Sequence, residues 1–415
     1  MAIGDTFLSP VEKILPGGEG LALHGGKKVF IPLSAPGDLV RGRITEDHGS
    51  WARAEIAGLE EASPLRVEPR CSLYGRCGGC SLQHLSYEAQ LQAKGEILSG
   101  ILSRTGAAQT LPPLVTVPSK PWEYRNRLSL HAIRANRGPR CGFKARKSHA
   151  PVPVEDCPIA DPVLRPLLKD LRPPPGKDRF TLYGRGTVLL AEEGTGIPGP
   201  VPSRGAVSVL DRKILLDASC FFQSNAGALE ALIPPLAGIA EKAAAPADPS
   251  GGSRHREDPP AMADLYAGVG TFTVFLENLF PGGADLLEEN RRALRLAEEN
   301  LGRREGFRYV PRRDTAWVPG KSGSGGRIRS GLRDRSYSFA VADPPRQGLS
   351  PSVVRWLCRQ GPPVLAYVSC DPASLSRDYR ILCGAYKPEE LYFFDFYPQT
   401  AHIESLVVFV RSGGV

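Results

Sequence analysis

Two residues near the C-terminus are of the types that covalent chemistry needs. Cys370 follows the apolar run in VLAYVSCDPASL, which puts it at the end of a strand, and a helix is predicted beyond Pro372. The N-terminus of such a helix favours a thiolate. His402 and Glu404 stand in FFDFYPQTAHIESLVVFV, just before a final strand. A thiolate and a carboxylate together suit substitution at carbon 5 of a uracil ring. That carbon is a poor nucleophile until a thiolate adds to carbon 6 and makes it an enolate carbon. A base must then take the proton from carbon 5 so that the enzyme can leave by β-elimination. In this reading Cys370 is the nucleophile and Glu404 the base. A lone cysteine is more often a small buried hydrophobe. Cys370 is read otherwise because it ends a strand beside other candidate site residues.

Those residues are expected to form a small-molecule pocket. AMADLYAGVGTFTVFL contains D-x-x-x-G-x-G from Asp264 to Gly270, with a helix expected from Thr271. Glycines there let a ligand approach the backbone. A dinucleotide site would place Gly or Ala where Thr273 stands. Glu288 follows the next apolar run and could accept hydrogen bonds from both ribose hydroxyls, so adenosine without phosphates fits better. Asp343, in VADPPRQGLS, ends another apolar run, YSFAVA. Open α/β sheets bind ligands at that edge.

A second cluster lies far upstream. Cys71, Cys77 and Cys80 are spaced C-x5-C-x2-C in CSLYGRCGGC. Thiolates at this spacing in a turn-rich segment suit zinc or an iron–sulfur cluster. Cys157 is the first candidate for a fourth ligand and Cys141 the second. The chain has nine cysteines, an odd number spread over 415 residues, which argues against a disulfide framework.

The elements that must position these groups change character along the chain. Residues 5–66 read as five short strands, in VEKIL, GLALHG, KKVFIP, DLVRGRITE and WARAEIAGL, with Gly and Pro turns between them. Five strands in so short a span suggest a closed barrel of the OB type. A helix is expected from an N-cap at Ser86 to about Arg104, then a Pro-rich connection over 111–121. Residues 122–215 look β-rich. From 216 onward strands alternate with helices, as in a parallel α/β sheet. Residues 242–260 and 319–335 lack apolar periodicity and read as loose insertions. The net charge of +8 suits a polyanionic partner. Neither a signal peptide nor a membrane-length apolar run is read here, so the expected location is the cytoplasm.

Taken together, these motifs resemble those of the RNA uracil-5-methyltransferases that carry a TRAM barrel and an iron–sulfur cluster. The resemblance covers nearly the whole chain. It implies an N-terminal OB-like TRAM barrel at 1–66. It implies an iron–sulfur central domain at 67–92 and 121–218. The remainder, 93–120 and 219–415, would be a Rossmann-like class I methyltransferase domain. CSLYGRCGGC with Cys157 is similar to the family's cluster motif, which implies a 4Fe-4S cluster on Cys71, Cys77, Cys80 and Cys157. FFQSN resembles F-x-Q-x-N, which makes Gln223 a contact of S-adenosylmethionine, and Tyr266, Glu288 and Asp343 match further cofactor positions. SCDP resembles S-C-N-P and HIESL resembles H-x-E-x-V, implying Cys370 as nucleophile and Glu404 as base. Asp371 and Leu406 depart from the usual Asn and Val.

The resemblance also implies an RNA partner and a monomer. Nine Lys or Arg lie between Lys120 and Lys147, with Trp122, Tyr124 and Phe143 among them. Basic groups reach phosphates and aromatic faces stack on unpaired bases. DPPRQG leans the substrate toward 23S ribosomal RNA, with transfer RNA second. An amino-group methyltransferase would carry an aromatic where Arg346 stands. A non-catalytic RNA-binding or RNA-folding module with a structural metal site is the rival from outside enzymology.

Overall fold

The computed structural model describes residues 2–107, 111–134, 138–148, 150–197, 199–245, 259–313 and 335–412. The five expected N-terminal strands form a closed barrel: β1 (Thr6–Ile14), β2 (Glu19–His24), β3 (Lys27–Pro32), β4 (Leu39–Asp47) and β5 (Trp51–Glu61), in the order β1-β2-β3-β5-β4. In β1 and β4, alternate residues point inward. Phe7, Val11, Val29, Ile31, Val40 and Ile44 fill the interior. Closure leaves no unpaired sheet edge.

Helix α1 (Tyr87–Ser103) begins where its cap demands: the Ser86 hydroxyl accepts a hydrogen bond from the Ala89 amide at 3.2 Å. The helix runs unbroken through the boundary expected at 92/93. After it, β6 (Leu114–Val117) leaves the N-terminal half and joins the edge of the C-terminal sheet.

The β-rich middle is a five-stranded antiparallel sheet, ordered β11-β10-β7-β8-β9. Its strands are β7 (Arg127–Ile133), β8 (Arg140–Lys144), β9 (Pro151–Pro153), β10 (Arg179–Arg185) and β11 (Val188–Ala191). Leu128, Leu130, Phe180, Leu182 and the buried Cys141 belong to its core. The hairpin of β12 (Arg204–Val209) and β13 (Arg212–Asp217) behaves differently. Its Val207, Val209, Ile214 and Leu216 pack into the C-terminal core, although the sequence assigned 121–218 to the central unit.

The C-terminal unit is an eight-stranded sheet ordered β16-β15-β14-β17-β18-β20-β19-β6. Its elements, in chain order, are α2 (Ala226–Ala244), β14 (Met262–Leu265), α3 (Thr271–Leu276), β15 (Ala284–Leu287), α4 (Arg291–Leu301) and β16 (Arg308–Val310). Then come β17 (Phe339–Ala342), α5 (Pro351–Gln360), β18 (Val364–Ser369), α6 (Pro372–Leu382), β19 (Tyr386–Phe394) and β20 (Glu404–Arg411). Strands β14 to β18 run parallel and β20 runs against both its neighbours. Every residue of β14, β15 and β17 is buried, as expected for strands covered by helices on both faces. The chain order reverses between β14 and β17, the switch point where a crevice opens at the carboxyl ends of the strands. The first expected insertion starts later than 242, because α2 continues to Ala244. Residues 246–258 of it, and 319–334 of the second, lie outside the described residues.

Candidate active site and cysteine pocket

All six residues expected to bind the cofactor or do chemistry line one cleft of about 1180 Å³: Gln223, Tyr266, Glu288, Asp343, Cys370 and Glu404. The topology explains the convergence. Tyr266, Glu288, Asp343 and Cys370 each follow the carboxyl end of a parallel strand (β14, β15, β17 and β18). Glu404 is the first residue of antiparallel β20, so it starts from the same edge. The volume exceeds a typical single-ligand pocket of roughly 300–1,000 Å³, leaving room for a second occupant.

The cofactor side is built by hydrogen bonds. Asp264 is buried at the end of β14 and does not face the cleft; it accepts a hydrogen bond from the Thr273 hydroxyl at 2.6 Å and so ties strand to helix α3. Burial pushes its carboxyl up to about 7. The loop between them turns through positive φ at Tyr266, Gly268 and Gly270. A Cβ at Gly270 would stand 3.1 Å from that of Ala297 on α4, so the glycine also lets the two helices close. Glu288 accepts from the Gly268 amide at 2.9 Å and the Asn290 amide at 2.7 Å. Each of its oxygens keeps a free lone pair for a ribose hydroxyl. Gln223 donates from Nε2 to Asp343 at 3.2 Å, while its buried Oε1 has no partner. A buried orphan acceptor beside two acids suits an amphiphilic ligand with hydrogen-bond donors, as S-adenosylmethionine is.

On the reactive side, the surroundings of Cys370 favour the thiol over the thiolate expected from a helix N-terminus. Burial, with Glu404 and Asp343 nearby, pushes it up to about 12, and Arg346 pulls weakly the other way. The end of α6 offers little help, since the Asp371 side chain caps it by accepting from the Ser374 amide at 2.7 Å. Glu404 is buried, and burial with the charge of Asp343 holds its carboxyl well above the ordinary range. Its Oε1 has no hydrogen-bond partner. Asp343 is pushed to about 7 by desolvation and by Asp264. Asp343, Glu404 and the Cys370 thiol thus line the same part of the cleft as the Arg346 guanidinium.

The basic stretch expected to meet RNA supplies Arg125 and Arg127 to the lining, while Arg179 and Tyr397 carried no signal in the sequence. Arg125, Arg127 and Arg179 form one wall, and Arg346 reaches within 3.4 Å of the His402 ring. Tyr397 stacks edge-on against His402, with centroids 5.6 Å apart. Only the strand alternation of β7 could have placed Arg127, and it needs the register with β10 to be meaningful.

The four expected cysteine ligands also meet. Cys71, Cys77, Cys80 and Cys157 line a separate cavity of about 90 Å³. Cys141 is elsewhere, buried in the central core with its thiol directed at the Leu171 carbonyl. Burial raises Cys80 to about 12 and Cys157 to about 11. Among the described residues, no three His, Cys, Asp or Glu side chains gather as closely as one metal ion requires. Arg125 and Ser129 line both this cavity and the large cleft.

Known proteins share this organisation. The family model described as tRNA (uracil-5-)-methyltransferase matches residues 327–412. An RNA methyltransferase of Treponema denticola is 30% identical over 94% of this chain and 95% of its own. The 23S rRNA (uracil(1939)-C(5))-methyltransferase of Shewanella denitrificans is 28% identical over 94% and 93%. Among solved structures, the Pyrococcus abyssi tRNA (uracil-54, C5)-methyltransferase in complex with S-adenosyl-L-homocysteine has the same fold, with a TM-score of 0.69, 23% identity, and 97% and 100% coverage. The chain belongs to the RNA (uracil-5-)-methyltransferases.

Proposed function

We propose that this chain methylates carbon 5 of a uridine in 23S ribosomal RNA through a covalent adduct at Cys370. The observation that carries the reading is the shared cleft: a thiol and an unpartnered carboxyl sit at one sheet edge beside the Gln223, Tyr266, Glu288 and Asp343 wall. S-adenosylmethionine, when bound, supplies an electrophilic methyl group and a positive charge that favours the anionic forms of the acids around it. Gln223, Tyr266, Glu288 and Asp343 would hold it. Cys370 gives its proton to a cleft carboxylate other than Glu404, and its sulfur bonds to carbon 6 of the uracil as the pair of the 5,6 double bond moves into the enolate; carbon 5 would then take the methyl group as that group's bond to the bound donor's sulfur breaks. After methylation, Glu404 takes the proton from carbon 5; the electron pair of that C–H bond forms the 5,6 double bond and expels the Cys370 sulfur. The arginine wall of Arg125, Arg127 and Arg179 holds the RNA backbone, and the target base leaves its stack to reach the thiol.

The ribosomal substrate is preferred because the Shewanella relative, named for 23S rRNA, matches along nearly its whole length. Transfer RNA is the second reading. The reading of a 4Fe-4S cluster on Cys71, Cys77, Cys80 and Cys157 is supported by the motif resemblance and by the meeting of these four thiols at one cavity. The proposed functional division is 1–66, 67–92 with 121–218, and 93–120 with 219–415, except that the 204–217 hairpin packs with the C-terminal core. Mapping 5-methyluridine in RNA from cells with and without the gene tests the substrate. Loss at one position of 23S rRNA is the expected result; unchanged rRNA with loss in tRNA would replace it.

A further inference from the structure

The segment that carries Glu404 into the cleft is held by the cysteine loop. The residue after Cys80, Ser81, spends all three of its polar groups on local bonds. Its amide donates to the Gln399 carbonyl at 3.0 Å, as does that of Leu82. Its hydroxyl accepts from the Ala401 amide at 2.9 Å, and its carbonyl accepts from the Tyr74 hydroxyl at 2.8 Å. Gln399 is buried and holds φ at 67°, a left-handed conformation that a glutamine adopts only when its surroundings enforce it. The enforcement is visible. Its amide donates to Gln90 Oε1 at 2.8 Å, and its Oε1 accepts from Gln90 Nε2 at 3.0 Å. Its Nε2 donates to the Pro121 carbonyl at 3.3 Å.

Four residues separate Gln399 from Glu404, and the cleft-lining Tyr397 and His402 flank it. Glu404 Oε1 has no hydrogen-bond partner, so its aim depends on where the backbone delivers it. The barrel closes on the same point: a Cβ at Gly18 would lie 2.9 Å from the Ser81 hydroxyl and 3.0 Å from the Ala401 Cβ.

We infer that Ser81 and Gln399 form a latch through which the cysteine loop positions Glu404 for proton removal. They are positioning residues and touch no substrate. The inference rests on the reading of Glu404 as the base. A misplaced base leaves the first bond-forming step intact and slows release, because carbon 5 keeps its proton and the sulfur cannot be expelled.

The test compares full-length wild type, Ser81→Ala, Gln399→Gly and Glu404→Gln on unmodified 23S rRNA transcript with S-adenosylmethionine. Covalent enzyme–RNA species are read on a denaturing gel, and amide exchange over 400–404 by mass spectrometry. Glycine keeps the backbone conformation while deleting the side-chain bonds. Both latch variants are expected to accumulate adduct, to release product about tenfold to hundredfold more slowly, and to exchange faster over 400–404. If Glu404→Gln accumulates adduct while Ser81→Ala and Gln399→Gly release at the wild-type rate, the latch is overturned and the base assignment stands. If Glu404→Gln itself accumulates none, the base assignment is overturned first. Should Gln399→Gly fail to fold, Ser81→Ala decides alone, since it removes a single hydroxyl.

Discussion

Ser369 and Ser405 face each other across the antiparallel pair of β18 and β20, which places Cys370 and Glu404, their outward neighbours, on adjacent strands at one edge of the sheet. The thiol and the carboxyl therefore need no loop closure to come together. Strand pairing fixes their separation, and the crevice at the switch point brings the ligand to them.

The first prediction follows from that pairing. Cys370→Ala removes the thiol proposed to add to carbon 6. Turnover should fall by more than about 10⁴-fold, as when a covalent nucleophile is deleted elsewhere. A 5-fluorouridine RNA should form no covalent species with this variant. A persistent adduct in Cys370→Ala would move the nucleophile to another cysteine.

The second concerns pH. Because burial and two acids push the Cys370 thiol to about 12, the thiolate fraction of the ligand-free chain should climb about tenfold per pH unit well beyond the range where an ordinary thiol levels off near pH 8.5. Alkylation of the Cys370 peptide by iodoacetamide, followed by mass spectrometry, reads this directly. Arg346→Met should slow it further, since Arg346 favours the anion. A plateau near the ordinary thiol value would show that the thiol is not desolvated.

Much of this arrangement was legible before any coordinates. The five barrel strands, the Ser86 cap, and helices starting at Thr271 and Pro372 fell where apolar alternation, capping chemistry and proline placed them. These are local signals, and local signals survive folding. The failures share a different cause. The thiolate expected at Cys370 depended on a helix end, but burial, with Glu404 and Asp343 approaching from strands distant in sequence, acts against it. The β12–β13 hairpin reads like any other hairpin; its core partners are residues of α2, α4 and the parallel sheet, which only tertiary packing reveals. Lys94, on which no expectation was placed, is fully buried against Asp395, about three hundred residues away.

That pair gives the third prediction. Lys94 Nζ donates to Asp395 at 2.7 Å and to the Tyr397 carbonyl at 2.9 Å, and neither side chain touches solvent. Lys94→Met leaves a buried carboxyl without its counter-charge. The expected cost is about 3–5 kcal/mol in chemical denaturation. The double variant Lys94→Met, Asp395→Leu should lose less than the single one. Equal losses would mean that packing of the lysine stem matters, not the charge.

The fourth uses the buried acids. Asp264 is held near 7 by burial, far above its unfolded value near 4. Between those values the folded chain binds the extra proton, so stability falls as pH rises. Asp343 contributes with the same sign. Asp264→Asn should therefore flatten the decline in melting temperature between about pH 4 and pH 7. An unchanged slope would place the titration elsewhere.

The last prediction separates the cysteine pocket from the core cysteine. If Cys71, Cys77, Cys80 and Cys157 hold a 4Fe-4S cluster, anaerobic reconstitution should give a brown protein with about four irons per chain. Serine at Cys80 or Cys157 should abolish the colour and the iron. Serine at Cys141 should keep both, because its thiol points into the central core toward Leu171 and not into the cavity. It should instead cost stability, since a hydroxyl there is buried. A colourless chain holding one zinc would replace the cluster. Loss of iron in Cys141→Ser with retention in Cys157→Ser would reverse the ligand assignment, against the geometry of the cavity.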